Sequence, residues 1–508
     1  MKLAEVLANV DPVQLSGAGA LEIASVAYDS RQVQPGSVFV AMHGEKTDGN
    51  RYVFDAVGRG ACAVVSELPR PWSPGWDALY AGQSVTPREI PATVAWVQVR
   101  DARKALATVS ANFFGHPAQA LQLVGITGTN GKTTAAFLVD SILRAAGASS
   151  GLLGTIVYRS PRGAHPATNT TPESLDLQRF FAELRDAAGT HAVLEVSSHS
   201  LAMDRVWGCS FQVAVFTNLT REHMDYHKTF ENYFAAKRRM FEGTGAGAPA
   251  VGVVNTDDPY GKQLVGLAKQ TITYGLENGA DVKAKKFALS FSGLEFTAHT
   301  PIGKMEVRSP LVGRISVYNI LAAIGAGIGL GLSPEAIRKG IAQLQAVPGR
   351  FERVDLGQPF LVVVDYAHTD DALRNLLQTA RELNPTSRII TLFGCGGDRD
   401  RTKRPLMGEA AGRMSALVVL TNDNPRSEDP LRIINDVAVG LQKTDVKYVV
   451  EPDRARAVEL ALSNAQPGDI VLLAGKGHET YQILRDQTLD FDDREETRKC
   501  LRKLGYGK

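Results

Sequence analysis

Gly125-Ile-Thr-Gly-Thr-Asn-Gly-Lys-Thr-Thr134 lies between a compact apolar run, residues 121–126, and a segment of helical spacing, residues 133–146, that stops at Gly147. The order is strand, glycine turn, helix. In such a turn the glycines let backbone N–H groups converge on phosphate oxygens, and the helix N-terminus adds the positive end of its dipole. Lys132 then reaches the outer phosphates and Thr133 offers a hydroxyl to Mg²⁺. The common phosphate loop has a glycine five positions before Gly131, where this chain has Ile126, so the run is a variant of that loop. A glycine turn that only closed a βα unit would have no use for Lys-Thr-Thr at the helix start. The stretch predicts a nucleoside triphosphate site.

Working outward, the 508 residues are too many for one core and suggest about three domains. An apolar content of 44% and a charged content of 22% fit an ordinary globular protein. The net charge of +2 leaves no basic footprint for nucleic acid, so acidic small substrates must be met by local arginines. Cys62, Cys209, Cys395 and Cys500 are far apart, which argues against a disulfide scaffold or a zinc site and for a reducing compartment. The first residues lack the apolar core of a secretory signal. The most apolar later run, residues 320–332, reads as a buried helix and not a membrane span.

The fold class expected is α/β in three parts. Residues 1–97 form a small α/β domain, with a Pro- and Trp-containing surface loop between Pro69 and Pro91. Residues 98–347 form a central parallel sheet of the phosphate-loop ATPase kind, because residues 191–196 and 211–216 repeat the strand-then-polar-cluster rhythm without alternation. Residues 287–307 do alternate, which predicts an antiparallel flap. From residue 348 to 508 a Rossmann-like unit resumes the rhythm, with polar clusters Asp365-Tyr-Ala-His368, Gly394-Cys-Gly-Gly-Asp-Arg-Asp400, Thr421-Asn-Asp-Asn-Pro-Arg426 and Gly475-Lys-Gly-His-Glu479 each following an apolar strand. That edge of a parallel sheet is where ligands bind, so two such sheets facing each other would enclose a cleft.

By residue type alone, Glu195 is either a solvated strand cap or a ligand that completes the Mg²⁺ sphere opened by Thr133. His223 and His227 each read equally well as hydrogen-bonded structural histidines, and neither has zinc spacing. Lys237, in Tyr233-Phe-Ala-Ala-Lys237, reads as a solvated helix charge. Arg399 and Arg426 sit in turns on successive strand ends, where a guanidinium can grip a carboxylate with two hydrogen bonds. His478 and Glu479 extend the same rim and could hold an ammonium group.

With Asn169-Thr-Thr-Pro172, Glu195-Val-Ser-Ser-His199 and Gly349-Arg-Phe-Glu352 added to these motifs, the chain resembles the Mur ligases of bacterial peptidoglycan synthesis over nearly its whole length. The resemblance implies a cytoplasmic, ADP-forming amide ligase acting as a monomer in cell wall biogenesis. Asp423-Asn-Pro-Arg426 looks like the signature of the member that adds meso-diaminopimelate to UDP-N-acetylmuramoyl-L-alanyl-D-glutamate. L-lysine as the amine, a folate polyglutamate ligase, and a nucleotide-binding regulator without ligation are the alternatives.

Carried over by position, the resemblance implies catalytic roles for Lys132, Thr133, Glu195, His223 and Lys237. Thr133, Glu195 and His223 would ligate Mg²⁺, and Lys237 would do so as a carbamate formed with CO₂. ATP would meet Gly128, Thr129, Asn130, Gly131, Lys132, Thr133, Thr134, Asn319, Arg350, Tyr366 and His368. The uridine nucleotide and muramyl dipeptide would meet Tyr28, Ser30, Glu45, Lys46, Thr47, Asn169, Thr170, Thr171, Ser197, Met203 and Arg205. Diaminopimelate would meet Arg399, Asp423, Asn424, Pro425, Arg426, Gly475 and Glu479, with Arg426 setting specificity. Two positions depart from the family pattern: Asp370 stands where Pro often follows Tyr-Ala-His-Thr, and Met203 replaces a polar side chain of some relatives.

Overall fold

The computed structural model describes residues 1–17, 20–44, 47–71, 76, 89–277 and 279–507. Its centre is an eleven-stranded sheet. The glycine turn leaves the strand Gln122–Thr127, which lies mid-sheet between the parallel strands His191–Glu195 and Phe211–Phe216. Helices cover both faces, so Val124, Ile126, Val193 and Val215 are packed on one side and Leu123, Leu194, Ala214 and Phe216 on the other. This two-sided burial is why the runs do not alternate. The alternating segment behaves as expected of antiparallel strands: Gly293–Thr300 pairs with Gly303–Ser309 and turns Leu294, Phe296, Met305 and Val307 to the core. It also pairs with Val282–Ser290 and so continues the main sheet. The helix Arg314–Gly329 is buried along most of its length, as its composition predicts.

The first sheet has five strands, with Ala95–Val99 between Pro12–Ser16 and Ala61–Ser66. Here the expected boundary at residue 97 is corrected, since it falls inside a strand. The helix Ala102–Phe113 then packs on the same core through Ala102, Leu106 and Val109. The turn residues Gly115, His116 and Pro117, the first two with positive φ, follow this helix, so the unit ends there and not at residue 97. The surface loop expected between Pro69 and Pro91 falls mostly outside the described residues. Its Trp76 is described, and it is buried 5.9 Å from the Trp96 ring with its indole N–H on the Pro69 carbonyl at 2.8 Å. A buried tryptophan needs such a partner, so at this residue the loop is core and not surface.

The last sheet has six strands, five of them parallel, with cores on both faces. All four polar clusters read from the sequence project from the carboxyl ends of its parallel strands Leu361–Asp365, Ile389–Phe393, Leu417–Leu420 and Ile470–Ala474. Behind them, Arg454 and Asp493 form a fully buried ion pair at 2.7 Å, and Arg454 also donates to the Asn422 and Ala474 carbonyls. That guanidinium ties together the roots of two of the four clusters. Among the described residues, no helix is long and apolar enough to cross a membrane.

Candidate active site

The glycine turn is shaped by close neighbours. A Cβ at Gly128 would lie 1.9 Å from Thr217 Oγ1, and one at Gly131, whose φ is +87°, would lie 2.3 Å from Asn319 Oδ1. Only glycine lets the turn pass beneath these side chains. The helix Lys132–Ala145 starts at Gly131, and Lys132 curls back so that Nζ donates to the Gly128 and Thr129 carbonyls, each at 2.9 Å. Burial lowers the proton affinity of Lys132, and Arg350 adds to this, against the opposing pull of Glu222 and Glu195.

Thr133 Oγ1 donates to Glu195 Oε2 at 2.9 Å and accepts from Arg350 Nη2 at 3.2 Å. Glu195 is buried and is held from its other side by Thr155, through the backbone N–H at 2.8 Å and the hydroxyl at 3.1 Å. It is therefore not a solvated strand cap. His227, by contrast, is hydrogen-bonded to Ser198 Oγ at 2.9 Å and buried, which is the structural reading. His223 remains neutral: burial pushes its pKa down to about 4, although Glu222 pulls the other way.

Lys237 is fully buried, which overturns its reading as a solvated charge. The helix Phe230–Glu242 turns Tyr233, Phe234, Lys237, Met240 and Phe241 inward, and Lys237 Nζ donates to the Gly128 carbonyl at 2.8 Å. Burial, reinforced by nearby Lys132, holds the Lys237 pKa well below the usual lysine value. Among the described residues no group of three or more His, Cys, Asp or Glu side chains could hold a metal. Instead one hydroxyl and one buried carboxylate flank the phosphate loop, a sparse oxygen set that suits Mg²⁺, which keeps most of its sphere for phosphate and water, and His223 lines the same cleft. An ammonium at Lys237 does not fit that set.

Between the central and last sheets opens a cleft of about 830 Å³. Its central wall carries Thr129 to Thr134, Glu195, His223 and Asn319, and its far wall carries Arg350, Tyr366 and His368. Arg350 stacks over the Tyr366 ring at 4.6 Å, and His368 Nε2 lies 3.2 Å from Glu222 Oε1. One end holds Asn169, Thr170, Thr171, Ser197, Met203 and Arg205; the guanidinium of Arg205 touches the Thr171 carbonyl at 3.1 Å and Met203 Sδ at 3.5 Å. The other end holds Arg399, Asp423, Asn424, Arg426, Gly475 and Glu479.

Several expected residues are not in the lining. Gly128 and Lys237 lie directly beneath it, and Pro425 packs its carbonyl under Gly397. Tyr28, Ser30 and Thr47 sit in the first unit; Tyr28 donates to Asp176 of the central unit at 2.7 Å, and Thr47 Oγ1 lies 3.2 Å from the Tyr52 hydroxyl. Glu45 and Lys46 lie outside the described residues. Sequence reasoning missed Thr155 and Glu222. Burial disfavours ionised Glu222, yet the hydrogen bond from His368 and the Lys132 ammonium help to hold the carboxyl well below the usual range. An acid immediately before His223, facing a cationic loop, was the available signal.

Three family descriptions match the chain: "Mur ligase family, catalytic domain" over residues 22–114, "Mur ligase middle domain" over 126–327 and "Mur ligase, glutamate ligase domain" over 349–477. A UDP-N-acetylmuramoyl-L-alanyl-D-glutamate--2,6-diaminopimelate ligase from Solibacter usitatus is 53% identical, covering 100% of this chain and 99% of its own. The protein of that name from Geobacillus thermodenitrificans is 42% identical over 99% and 100%. A solved structure of a ligase of that name superposes with a TM-score of 0.67 at 31% identity, covering 100% of this chain and 99% of its own. Mycobacterium tuberculosis folylpolyglutamate synthase, solved with ADP and AMPPCP, shares the fold with a TM-score of 0.61 at 19% identity over 73% of this chain and 91% of its own.

Proposed function

The chain belongs to the Mur ligase family, and on that footing we propose that its cleft joins meso-2,6-diaminopimelate to the D-glutamyl γ-carboxylate of UDP-N-acetylmuramoyl-L-alanyl-D-glutamate. The protein is an ATP-dependent amide ligase of peptidoglycan precursor synthesis. The observation that carries the reading is the single cleft, with a phosphate loop on its central wall and an arginine- and carboxylate-lined pocket on the wall opposite. A folate ligase would leave the first sheet without a nucleotide to bind.

In this reading the γ-carboxylate attacks the γ-phosphorus of ATP, ADP leaves, and the amine attacks the resulting acyl phosphate and expels phosphate. Two anions must first be brought into contact. Lys132, already turned onto the loop, supplies a cation, and Arg350, anchored on Tyr366 and Thr133, faces the same space. Mg²⁺, held by Thr133, Glu195 and neutral His223, would screen the phosphate charge when bound. Thr155 keeps Glu195 pointed at the loop. Arg399 and Arg426 would take the amine's carboxylates, while Asp423 and Glu479 would take its ammonium. The facing walls would exclude water from the acyl phosphate. The first unit would bind the uridine nucleotide, the central one ATP and the last one the amino acid, in the cytoplasm and with no second copy required.

We read Lys237 as a carbamate in the working enzyme. A neutral amine is what attacks CO₂, and burial beside Lys132 supplies one. The product is an anionic oxygen ligand where an ammonium could not serve. Lys237→Ala is expected to lose at least about 100-fold in kcat, the scale of removing one preorganised charge from such a site. The wild-type protein should show a carbamate carbon signal after equilibration with ¹³C-bicarbonate. Full activity of the variant together with a silent spectrum would remove the carbamate. The function itself is tested by phosphate release from ATP with the uridine dipeptide and a panel of amines; a clear preference for L-lysine would overturn the choice of amine.

A further inference from the structure

We infer that Lys476 is a positioning residue that fixes the charge of the amine pocket, and so helps decide which diamino acid is used. This rests on the function proposed above and goes beyond it, because Lys476 does not line the cleft. Its side chain is fully buried, and Nζ lies 3.0 Å from Glu479 Oε2, 3.3 Å from Asn424 Oδ1 and 3.5 Å from Asp423 Oδ1. The three acceptors come from two different strand-end clusters, so one ammonium sets the spacing of both pocket walls. Asn424 is saturated around it, donating from Nδ2 to Glu479 Oε2 at 2.9 Å and accepting the Ile483 N–H at Oδ1. Gln482 clamps the Asp423 carbonyl at 2.7 Å.

Asp423 Oδ1 is less well served. It is buried and takes no hydrogen bond, and at 3.5 Å Lys476 offers it charge without a directed N–H. A buried carboxylate oxygen without a hydrogen bond depends on the charge of Lys476 to stay ionised, and it is the rest of the Asp423 carboxylate, on the cleft lining, that an incoming ammonium would meet. The pocket then contains two carboxylates, one internal lysine and the two cleft-facing arginines, Arg399 and Arg426, with Arg454 behind them. Without Lys476 the carboxylates would either repel each other or demand a second cation from the ligand. L-lysine carries one negative charge fewer than meso-diaminopimelate, so loss of the internal cation should favour it selectively.

The test compares Lys476→Met and Lys476→Arg with the wild-type full-length protein, using ATP, the uridine dipeptide and either amine. Lys476→Met should raise KM for meso-diaminopimelate at least about 10-fold and lower the preference for meso-diaminopimelate over L-lysine, in kcat/KM, by a similar factor. The KM for ATP should stay within about twofold. Lys476→Arg should recover much of the preference, because a cation is restored. Wild-type-like amine kinetics in Lys476→Met would overturn the inference, as would equal rises in KM for ATP and for both amines, the mark of general loosening. If the wild-type protein uses neither amine, the failure belongs to the proposed function and not to Lys476.

Discussion

Lys132→Ala should lower kcat by about 100- to 1,000-fold. The ammonium is held on the loop's own carbonyls in the wall that would take the triphosphate, and removing one such preorganised contact costs about 3–4 kcal/mol of transition-state stabilisation. The same substitution removes one donor each from the Gly128 and Thr129 carbonyls, but the Gly128 carbonyl keeps the hydrogen bond from Lys237 Nζ at 2.8 Å, so little stability should be lost. A melting temperature within a few degrees of wild type, combined with the collapse in turnover, separates chemistry from folding. Turnover within tenfold of wild type would mean that the Gly128 to Thr134 turn does not hold the triphosphate.

The second large effect concerns the amine. Arg426→Ala should reduce kcat/KM for meso-diaminopimelate by about 100- to 10,000-fold while changing that for L-lysine by less than tenfold, because a site built to pair a polar group penalises its absence. The backbone of Arg426 is in the left-handed region, φ +53°, and Nη1 donates to the Gly397 carbonyl at 2.8 Å. A non-glycine residue held there is costly unless its surroundings enforce it, which points to a side chain aimed for a purpose. Lys at this position should not rescue the activity, since an ammonium cannot reproduce a planar fork. Parallel losses with both amines would show that Arg426 supports the pocket without choosing its ligand.

These residues were legible because their signals are local. Gly128, Gly131, Lys132 and Thr133 lie within six positions of one another, and each strand-end cluster in the last unit follows its own apolar run. Lys237 was misread because its burial depends on which face of the helix Phe230–Glu242 meets the core, and a lysine among aromatics carries no mark of that. Thr155 was invisible for a related reason: its partner Glu195 is forty residues away, and a threonine in a loop advertises nothing. The end of the first unit was misplaced because residues 95–113 look like any strand followed by any helix. Trp76 was misplaced because proline-rich neighbours suggested exposure, while its large apolar ring demanded cover.

Across the cleft the two large sheets meet chiefly through polar handshakes. Asn130 reaches Asp371 at 2.8 Å, His368 meets Glu222, Arg350 meets Thr133, and Arg221 touches Thr402 at 3.0 Å. A seam of this kind parts easily, since each group finds water as soon as its partner withdraws and little hydrocarbon is stranded. The jaws can therefore gape to release a long, charged product and snap shut on the next pair of reactants, with Phe291 of the central unit, which packs on the last sheet's core, among the few apolar contacts given up.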